Sequence, residues 1–436
     1  MTGPGAVDQL GSPGPVDQRQ SGPGGPARQS GPRWTRVVVE AAGQWGQSRR
    51  GTPRGTAGWT GGATRRDSDV VTVSDTAGSG PLSVAAAREQ FQAEGVYLNT
   101  ASLGLPPRAV VRALHEVLAD WQHGLASPPD YDAPLNASRS AYAHLVGLDP
   151  ADVAVGSQVS VFAGLVAAGL PDRSEVLTVP GEFTSIVFPF LAQAGRGVTV
   201  REVPLDRLAE HVTARTALVS VSAVQSADGR VADLDALEQA CAASGTRVLL
   251  DTTQAVGWLP IEAGRFAYTT GGGYKWLLAP RGTAFFTIAP DLAEALVPHT
   301  AGWYAGDDPW TSIYGSPLRL AATARRFDVS PAWHSWVGQA PALELLTSIG
   351  RQALHEHALG LANRFLAGLE LPPGNSAIVS LEVGPGAGER LAKAQIAAGH
   401  RAGRLRLAFH INNSTDDADR AAHALRGHLS PYTTVA

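Results

Sequence analysis

The chain has 436 residues and a formal net charge of −4, with 44% hydrophobic and 17% charged residues. This composition predicts a globular protein of more than one domain, and it lacks the basic excess typical of nucleic-acid binding. No apolar run is long enough for a membrane span, and the N-terminus lacks the pattern of a secretory signal. The single cysteine, Cys241, excludes a framework of internal disulfides. We therefore expect a cytoplasmic protein without a nucleic-acid or membrane partner.

Residues 1–80 are predicted to form a disordered tail. Glycine, proline, glutamine, serine and arginine dominate this segment. It therefore buries too little apolar surface to offset the entropy that ordering would cost. One hypothesis is that the tail is translated from upstream of the native start. An intact mass that includes residues 3–80 would contradict that hypothesis.

Ordered structure is predicted from about residue 81. A strand at 96–101 and a helix at 107–124 come first, the helix being indicated by apolar residues at helical spacing. Strands and helices then alternate, with strands predicted at residues 153–155, 175–179, 197–204, 216–224 and 248–250. Such alternation is typical of an α/β fold with a mostly parallel sheet. A long apolar helix at about 337–371 and the short strands and helices after it predict a smaller α+β domain.

The stretch of residues 247–283 carries the predicted chemistry. An apolar run at 248–250 ends in Asp251, and Gln254 follows three residues later. A second run of small and aromatic residues leads into three glycines, which are followed by Tyr274 and Lys275. Ligands in open α/β sheets gather at the carboxyl ends of the strands, which is where this pattern places Asp251.

Lys275 is one of only two lysines in the chain, beside Lys393, although lysine and arginine together number 35. A retained lysine suits chemistry that a guanidinium cannot perform, namely a Schiff base with an aldehyde cofactor. Such a cofactor needs a buried carboxylate that keeps its pyridine nitrogen protonated, and Asp251 suits that task. The alternatives are a surface lysine beside a turn and a carboxylate that caps the turn after its strand.

The order of these motifs resembles the class V aminotransferase family. The matching residues are Asp251-x-x-Gln254, then Tyr274-Lys275-Trp276-Leu277, then Pro280-x-Gly282-Thr283. The resemblance covers about residues 96–428 and implies a pyridoxal 5′-phosphate (PLP) enzyme of fold type I. That fold has a large domain with a mostly parallel seven-stranded sheet and a smaller C-terminal α+β domain. We expect an N-terminal segment at 81–105 that packs with the small domain, a large domain at 106–320 and a small domain at 321–436.

The resemblance also implies a set of cofactor contacts. The turn after the strand at 153–155 would bind the PLP phosphate, as the free N–H groups and the dipole of a helix N-terminus favour. The residues of that turn are Ser157, Gln158 and Val159. The other implied contacts are Phe183 on the pyridine ring, Asp251 at the pyridine nitrogen, Ser226 and Gln254 at the phenolic oxygen, and Tyr274 near the phosphate. Tyr274 stands where relatives carry a histidine, and it would replace the contact of that histidine with the cofactor.

Substrate and subunit contacts follow from the same resemblance. Asn99 would lie near the substrate, the alternative being an asparagine that caps the turn before two prolines. Arg401 is the expected clamp for the α-carboxylate of an amino acid, with Arg404 and Arg406 as rivals. Ser330 would reach the phosphate of a neighbouring subunit, which implies a homodimer with shared active sites. We expect no metal ligands.

The family covers several reactions on amino acids, and the motifs leave more than one of them open. A cysteine desulfurase needs a thiol on a mobile loop, whereas Cys241 lies in an alanine-rich predicted helix, so persulfide transfer is disfavoured. We expect an aminotransferase that acts through Lys275, with C–S lyase, epimerase or kynureninase-like cleavage as alternatives. A PLP-binding protein without turnover is the alternative from another class.

Overall fold

The computed structural model describes residues 81–430, so the prediction of a disordered tail at 1–80 falls outside the described residues. Within this range the strands are β1 (Val96–Tyr97), β2 (Val153–Gly156), β3 (Glu175–Thr178), β4 (Thr199–Glu202), β5 (Thr216–Ser222), β6 (Arg247–Asp251), β7 (Tyr268–Gly272), β8 (Ala284–Ile288), β9 (Ile378–Leu381), β10 (Ile396–Ala397), β11 (Gly399–Arg401) and β12 (Arg404–Ala408). The α-helices in the same range are α1 (Val84–Arg88), α2 (Arg108–Gln122), α3 (Asp132–Val146), α4 (Val159–Ala168), α5 (Phe188–Leu191), α6 (Leu234–Ser244), α7 (Trp333–Ile349), α8 (Arg351–Gly368), α9 (Ala387–Lys393) and α10 (Thr415–Leu425). In this part of the chain, no helix is both long and apolar enough to cross a membrane.

A seven-stranded sheet forms the centre of the fold, in the order β2-β8-β7-β6-β5-β3-β4. Its pairs β3–β4, β3–β5, β5–β6 and β6–β7 are parallel, and β8 runs antiparallel to both of its neighbours. The predicted α/β fold with a mostly parallel seven-stranded sheet is therefore confirmed. Because β2 and β7 both oppose β8, the carboxyl ends of β2, β3, β5, β6 and β7 lie at the same edge of the sheet.

The centre of the sheet is buried on both faces, which explains why its central strand β6 carries an uninterrupted apolar run. In β6, Val248 and Leu250 enter one hydrophobic core, while Leu249 between them enters the core on the opposite face. Their exposed fractions are 4%, 0% and 0%. Because side chains alternate along a strand, an uninterrupted apolar run is needed to fill both cores.

A further hydrophobic core belongs to the C-terminal region. Strands β11, β12 and β9 form an antiparallel sheet in that order, and α10 packs against α8 and α9. Strand β1 pairs in parallel with β10, with Val96 opposite Ile396. The N-terminal segment is therefore held against the C-terminal region.

The prediction of one helix at about 337–371 is wrong, because the chain forms two helices, α7 and α8, in this region. Gly350 separates them with a φ of 88°, a backbone conformation outside the α-helical region. Helix α7 packs against α2 and α3 beside the large sheet, whereas Leu361 and Phe365 of α8 enter the C-terminal core. The domain boundaries at residues 105 and 320 stay predictions.

Candidate active site

One pocket lies at the carboxyl edge of the large sheet, where the segments after five strands form its walls. Ser157 follows β2, Phe183 follows β3, Ser226 follows β5, Asp251 ends β6, and Lys275 follows β7. The predicted catalytic and cofactor-binding residues that line this pocket are Ser157, Gln158, Val159, Phe183, Ser226, Asp251, Gln254, Tyr274 and Lys275. The fold therefore brings these predicted residues together in one place.

The Lys275 side chain is buried, with 5% of its surface exposed. Its Nζ lies 5.3 Å from the centroid of the Phe183 ring and 5.6 Å from that of the Tyr274 ring. Burial lowers the pKa of Lys275 to about 8; Asp251 opposes this shift, and three nearby arginines add to it. Far more of the amine is therefore neutral near neutral pH than in an ordinary lysine, and the neutral form is the one that reacts with an aldehyde.

Asp251 is also buried, with 4% of its surface exposed, and it accepts a hydrogen bond from the backbone N–H of Thr253 at 2.8 Å. Burial raises the pKa of the Asp251 carboxyl to about 6, the bonds from Thr253 oppose the rise, and the Glu182 carboxylate adds to it. A cation beside this carboxylate would favour its charged form. The protonated nitrogen of a pyridine ring is such a cation, so Asp251 fits a PLP ring.

Glu182 is a second buried carboxylate, bonded to the pocket-lining residues Phe183 and Ser222, and sequence patterns did not identify it. It accepts hydrogen bonds from the backbone N–H groups of Phe183 at 2.7 Å and Ser222 at 2.8 Å. It also accepts from the Ser222 hydroxyl at 2.6 Å and from Gln225 Nε2 at 2.9 Å. These bonds fix the loop that carries Phe183 to the end of β5. Because Ser222 lies 40 residues further along the chain, no local pattern reveals the network.

Two of the three glycines before Tyr274, Gly271 and Gly273, allow close approach of the backbone to neighbouring side chains. A Cβ atom on Gly273 would lie 2.0 Å from Gln339 Oε1 and 2.2 Å from Thr283 Oγ1. A Cβ atom on Gly271 would lie 2.5 Å from a threonine hydroxyl. A larger residue at Gly271 or Gly273 would force these buried side chains or the segment that carries Lys275 to shift.

The part of the pocket next to α4 offers donors for a phosphate. Helix α4 begins after Gln158, whose side chain does not cap it, so N–H groups of the first turn remain available. Ser157 and Val159 line the pocket beside Gln158. Arg281 also lines it, with its guanidinium carbon 5.1 Å from the centroid of the Tyr274 ring. A helix N-terminus and a guanidinium both favour an anion, so these residues fit the phosphate of PLP.

The three arginines that the sequence offers for a substrate carboxylate differ in burial and in partners. Arg401 is exposed. Arg404 forms an ion pair with Glu382, with Nη1 2.6 Å from Oε1. Arg406 is 1% exposed and donates to the backbone oxygen of Ser226, at the wall of the pocket.

Arg406 is a buried cation without a carboxylate partner among the ion pairs of residues 81–430. Its Nη2 donates to Ser102 Oγ at 2.7 Å, and its buried Nε has no hydrogen-bond partner within the described part of the chain. Burial lowers the pKa of Arg406 to about 10, and Arg401 adds to the shift. A buried guanidinium that lacks an anion is suited to binding one.

Asn99, Ser330 and Arg401 are the predicted site residues that do not line the pocket. The side-chain oxygen of Asn99 is buried and finds no hydrogen-bond partner in the range that the structure describes, and the Asn99 backbone forms a bridge with Ala408. Ser330 is exposed, beside Val329, which donates to Val155 of β2. The roles of Asn99 at the substrate and of Ser330 at a neighbouring subunit stay predictions.

The fold and the buried Lys275 and Asp251 together define a PLP-dependent enzyme of fold type I. The sequence profile described as aminotransferase class-V matches residues 154–383, more than half of the chain. The chain belongs to this family, so the resemblance drawn from its motifs is confirmed, as is PLP as its cofactor.

Several proteins of known sequence and structure are similar to this chain. The uncharacterized aminotransferase YcbU of Bacillus subtilis is 28% identical over 311 residues, which are 65% of this chain and 81% of that protein. The isopenicillin N epimerase of Streptomyces clavuligerus is 27% identical, over 76% of this chain and 94% of the epimerase. The solved structure of the cystine C–S lyase C-DES covers 78% of this chain and 99% of its own, with a TM-score of 0.70 and 22% identity. At this level of identity, the similarity to the C–S lyase structure shows that the two proteins share a fold.

Proposed function

We propose that the protein is an amino-acid aminotransferase that acts through Lys275. The observation that supports this most is the burial of Lys275 and Asp251 in one pocket, beside the N-terminus of α4. The similarity to YcbU, whose name describes an aminotransferase, favours transamination among the reactions of the family.

PLP, when bound, supplies the electron sink for the negative charge that develops when an amino acid loses its Cα proton. Lys275 removes that proton and returns it at another carbon, because burial lowers its pKa to about 8 and makes the amine a usable base. Asp251 would hold a negative charge beside the pyridine nitrogen. Phe183 would pack on the face of the ring, and its side chain has no group that transfers protons.

The phosphate of PLP is assigned to the first turn of α4, through Ser157, Gln158 and Val159, with Tyr274 close by. Ser330 is exposed and does not line this chain's own pocket, which agrees with a contact to the phosphate of a second subunit. We therefore propose a cytoplasmic homodimer in which each subunit completes the active site of the other.

Arg406 is assigned as the clamp for the substrate α-carboxylate, in preference to Arg401. Arg406 is buried with no carboxylate partner among residues 81–430, and it contacts Ser226, which lines the pocket. Arg401 also reaches this region, since its Nη2 donates to Ser102 Oγ at 3.2 Å, but it is exposed, and an exposed guanidinium contributes less to binding than a buried one. Asn99 lies near the same region, because its backbone oxygen accepts a hydrogen bond from the N–H of Ser102 at 2.8 Å. The Ser102 hydroxyl in turn accepts from Arg406.

C–S lyase, epimerase and kynureninase-like reactions begin with the same proton removal, so Lys275 and Asp251 serve them as well. The similarity to an isopenicillin N epimerase over 94% of its length keeps epimerisation as the second candidate. Persulfide transfer is opposed by Cys241, the single cysteine of the sequence, because it is 4% exposed on α6. Burial also raises the pKa of its thiol to about 11.

A panel of amino acids and cysteine S-conjugates, with and without a keto acid, tests the proposal on the PLP-loaded enzyme. An aminotransferase forms a new amino acid only when the keto acid is present. Ammonia without a keto acid would indicate a lyase, and loss of optical activity alone would indicate an epimerase. A PLP-loaded protein whose absorption responds to no amino acid would be a non-catalytic PLP-binding protein.

A further inference from the structure

The orientation of the Gln254 amide is fixed from both of its ends. Trp276 Nε1 donates to Gln254 Oε1 at 2.8 Å, and an indole nitrogen can only donate. Gln254 Nε2 donates to the backbone oxygen of Ala101 at 3.0 Å, and a carbonyl oxygen can only accept. Gln254 and Trp276 are 3% and 0% exposed, so water does not compete for these bonds. The amide therefore has a single orientation.

The second proton of Gln254 Nε2 is directed at Ser226 Oγ, at a distance of 3.0 Å. Arg406 Nη1 also donates to this oxygen, at 3.4 Å. Ser226 Oγ thus receives two donors, and among residues 81–430 no hydrogen bond uses the proton of its hydroxyl. Because Ser226 lines the pocket, that proton is available to a bound ligand.

We propose that Trp276 and Gln254 are positioning residues, which turn the Ser226 hydroxyl so that it donates to the phenolic oxygen of PLP. Both amide protons of Gln254 are already used by Ala101 and Ser226, so Gln254 acts through Ser226 and does not itself contact the cofactor. This differs from the expectation that Gln254 reaches the phenolic oxygen. The inference rests on the proposed function, since it requires PLP bound at Lys275.

The proposal has a spectroscopic consequence. With PLP bound, a donor to its phenolic oxygen would stabilise negative charge on that oxygen and so would favour the deprotonated form of the bound cofactor. Loss of the donor raises the pH midpoint at which the visible absorption band of the bound cofactor changes. One hydrogen bond to a charged group corresponds to a shift of about one pH unit.

Two tryptophans allow a matched test, because both donate to Gln254. Trp276 donates to the side-chain oxygen, whereas Trp258, 1% exposed, donates to the backbone oxygen at 2.6 Å. Trp276→Phe removes the bond that fixes the amide, so the midpoint should rise by about half a pH unit to one unit. Trp258→Phe removes a similar bond from a similar site and should leave the midpoint unchanged. Equal midpoints in the two variants would overturn the proposal.

Gln254→Glu provides a second variant that keeps the packing. Its carboxylate can still accept from Trp276, but it cannot donate to Ser226 and attracts the hydroxyl proton instead. Ser226→Ala removes the donor itself, so its midpoint should rise by about one pH unit, and we expect a rise of similar size in Gln254→Glu. In the double variant Ser226→Ala with Trp276→Phe, the midpoint should match that of Ser226→Ala alone. A further rise in the double variant would mean that Gln254 donates to the cofactor directly, contrary to the proposal.

The same titrations separate this inference from the proposed function. If the wild-type protein shows no visible band with PLP, the proposed function itself fails. The band could instead be present while Trp276→Phe, Gln254→Glu and Ser226→Ala keep the wild-type midpoint. In that case only the inference that Trp276 and Gln254 orient the Ser226 hydroxyl fails.

Discussion

The Lys275 amine lies 5.3 Å from the centroid of the Phe183 ring. Phe183 is 42% exposed although it lines the pocket, whereas Lys275 is 5% exposed. A large apolar ring that faces solvent beside a buried amine provides a surface on which a flat cofactor can stack. Glu182 fixes the backbone of Phe183 by accepting a hydrogen bond from its N–H.

The first prediction concerns Phe183. Phe183→Leu removes the aromatic face and should weaken PLP binding roughly 3- to 10-fold, since an aromatic pair contributes about 0.5–1.5 kcal/mol. Titration of the apo-protein with PLP measures this change. Phe188→Leu is the control, because Phe188 is 61% exposed but does not line the pocket. An equal loss of affinity in both variants would remove Phe183 from the site.

The second prediction concerns Asp251. Asp251→Asn keeps the shape but loses the charge beside the pyridine nitrogen, so PLP binding should weaken roughly 10- to 100-fold. Removal of the substrate Cα proton, followed by exchange in heavy water, should slow as well. Asp228→Asn is the control, because Asp228 pairs with Arg230 at 2.9 Å outside the pocket. Near-normal affinity and exchange in Asp251→Asn would exclude the assigned role.

The third prediction is a pH dependence. Because burial lowers the pKa of Lys275 from 10.5 to about 8, its charged form predominates below pH 8 and its neutral form above it. Only the neutral amine attacks an aldehyde. The rate at which apo-protein captures PLP should therefore rise with pH and level off above about 8.

Asp251→Asn supplies the control for this pH profile. Asp251 favours the charged form of Lys275, so its loss should move the midpoint to lower pH. Rapid mixing of apo-protein with PLP, followed by the appearance of the visible band, measures both profiles. A midpoint near the ordinary lysine value of 10.5 would show that Lys275 is solvated, contrary to the structure.

The fourth prediction separates Arg406 from Arg401. Arg406→Lys loses the planar donor pair for a carboxylate and should raise the KM for the amino acid by roughly 10- to 100-fold, with a smaller effect on kcat. Arg401→Lys should change KM by less than about 3-fold, because exposed charges contribute little. Steady-state kinetics on the two variants test the assignment. A larger rise in KM for Arg401→Lys than for Arg406→Lys would show that Arg401 binds the substrate carboxylate.

The fold and much of the pocket could be predicted from local sequence. Asp251 and Lys275 follow strands of the large sheet, and the carboxyl ends of parallel strands meet at one edge. The glycines before Lys275 mark a close approach of the backbone, which the structure explains through Gln339 and Thr283. These features depend on residues that are near one another in the chain or on strand order alone.

Other features depend on contacts between distant segments, and local patterns do not reveal those. The hydrogen bonds of Glu182 involve Ser222, which lies 40 residues away in the chain, and those of Arg406 involve Ser226, 180 residues away. The burial of Arg406 and the exposure of Arg401 follow from how the hairpin of β11 and β12 packs, not from the residues around them. Gly350 splits a predicted helix because of its φ, which an apolar pattern does not encode.

Borohydride reduction of the PLP-loaded protein, followed by peptide mass spectrometry, tests the central claim most directly. Reduction makes a Schiff base between lysine and PLP permanent, and the sequence has only Lys275 and Lys393 as lysine candidates. Lys393 is exposed at the end of α9 and serves as the internal control. We predict the cofactor mass on the peptide that contains Lys275, and its loss in Lys275→Ala together with turnover. A modified Lys393 with an unmodified Lys275, or an unchanged visible band in Lys275→Ala, would contradict the proposed function.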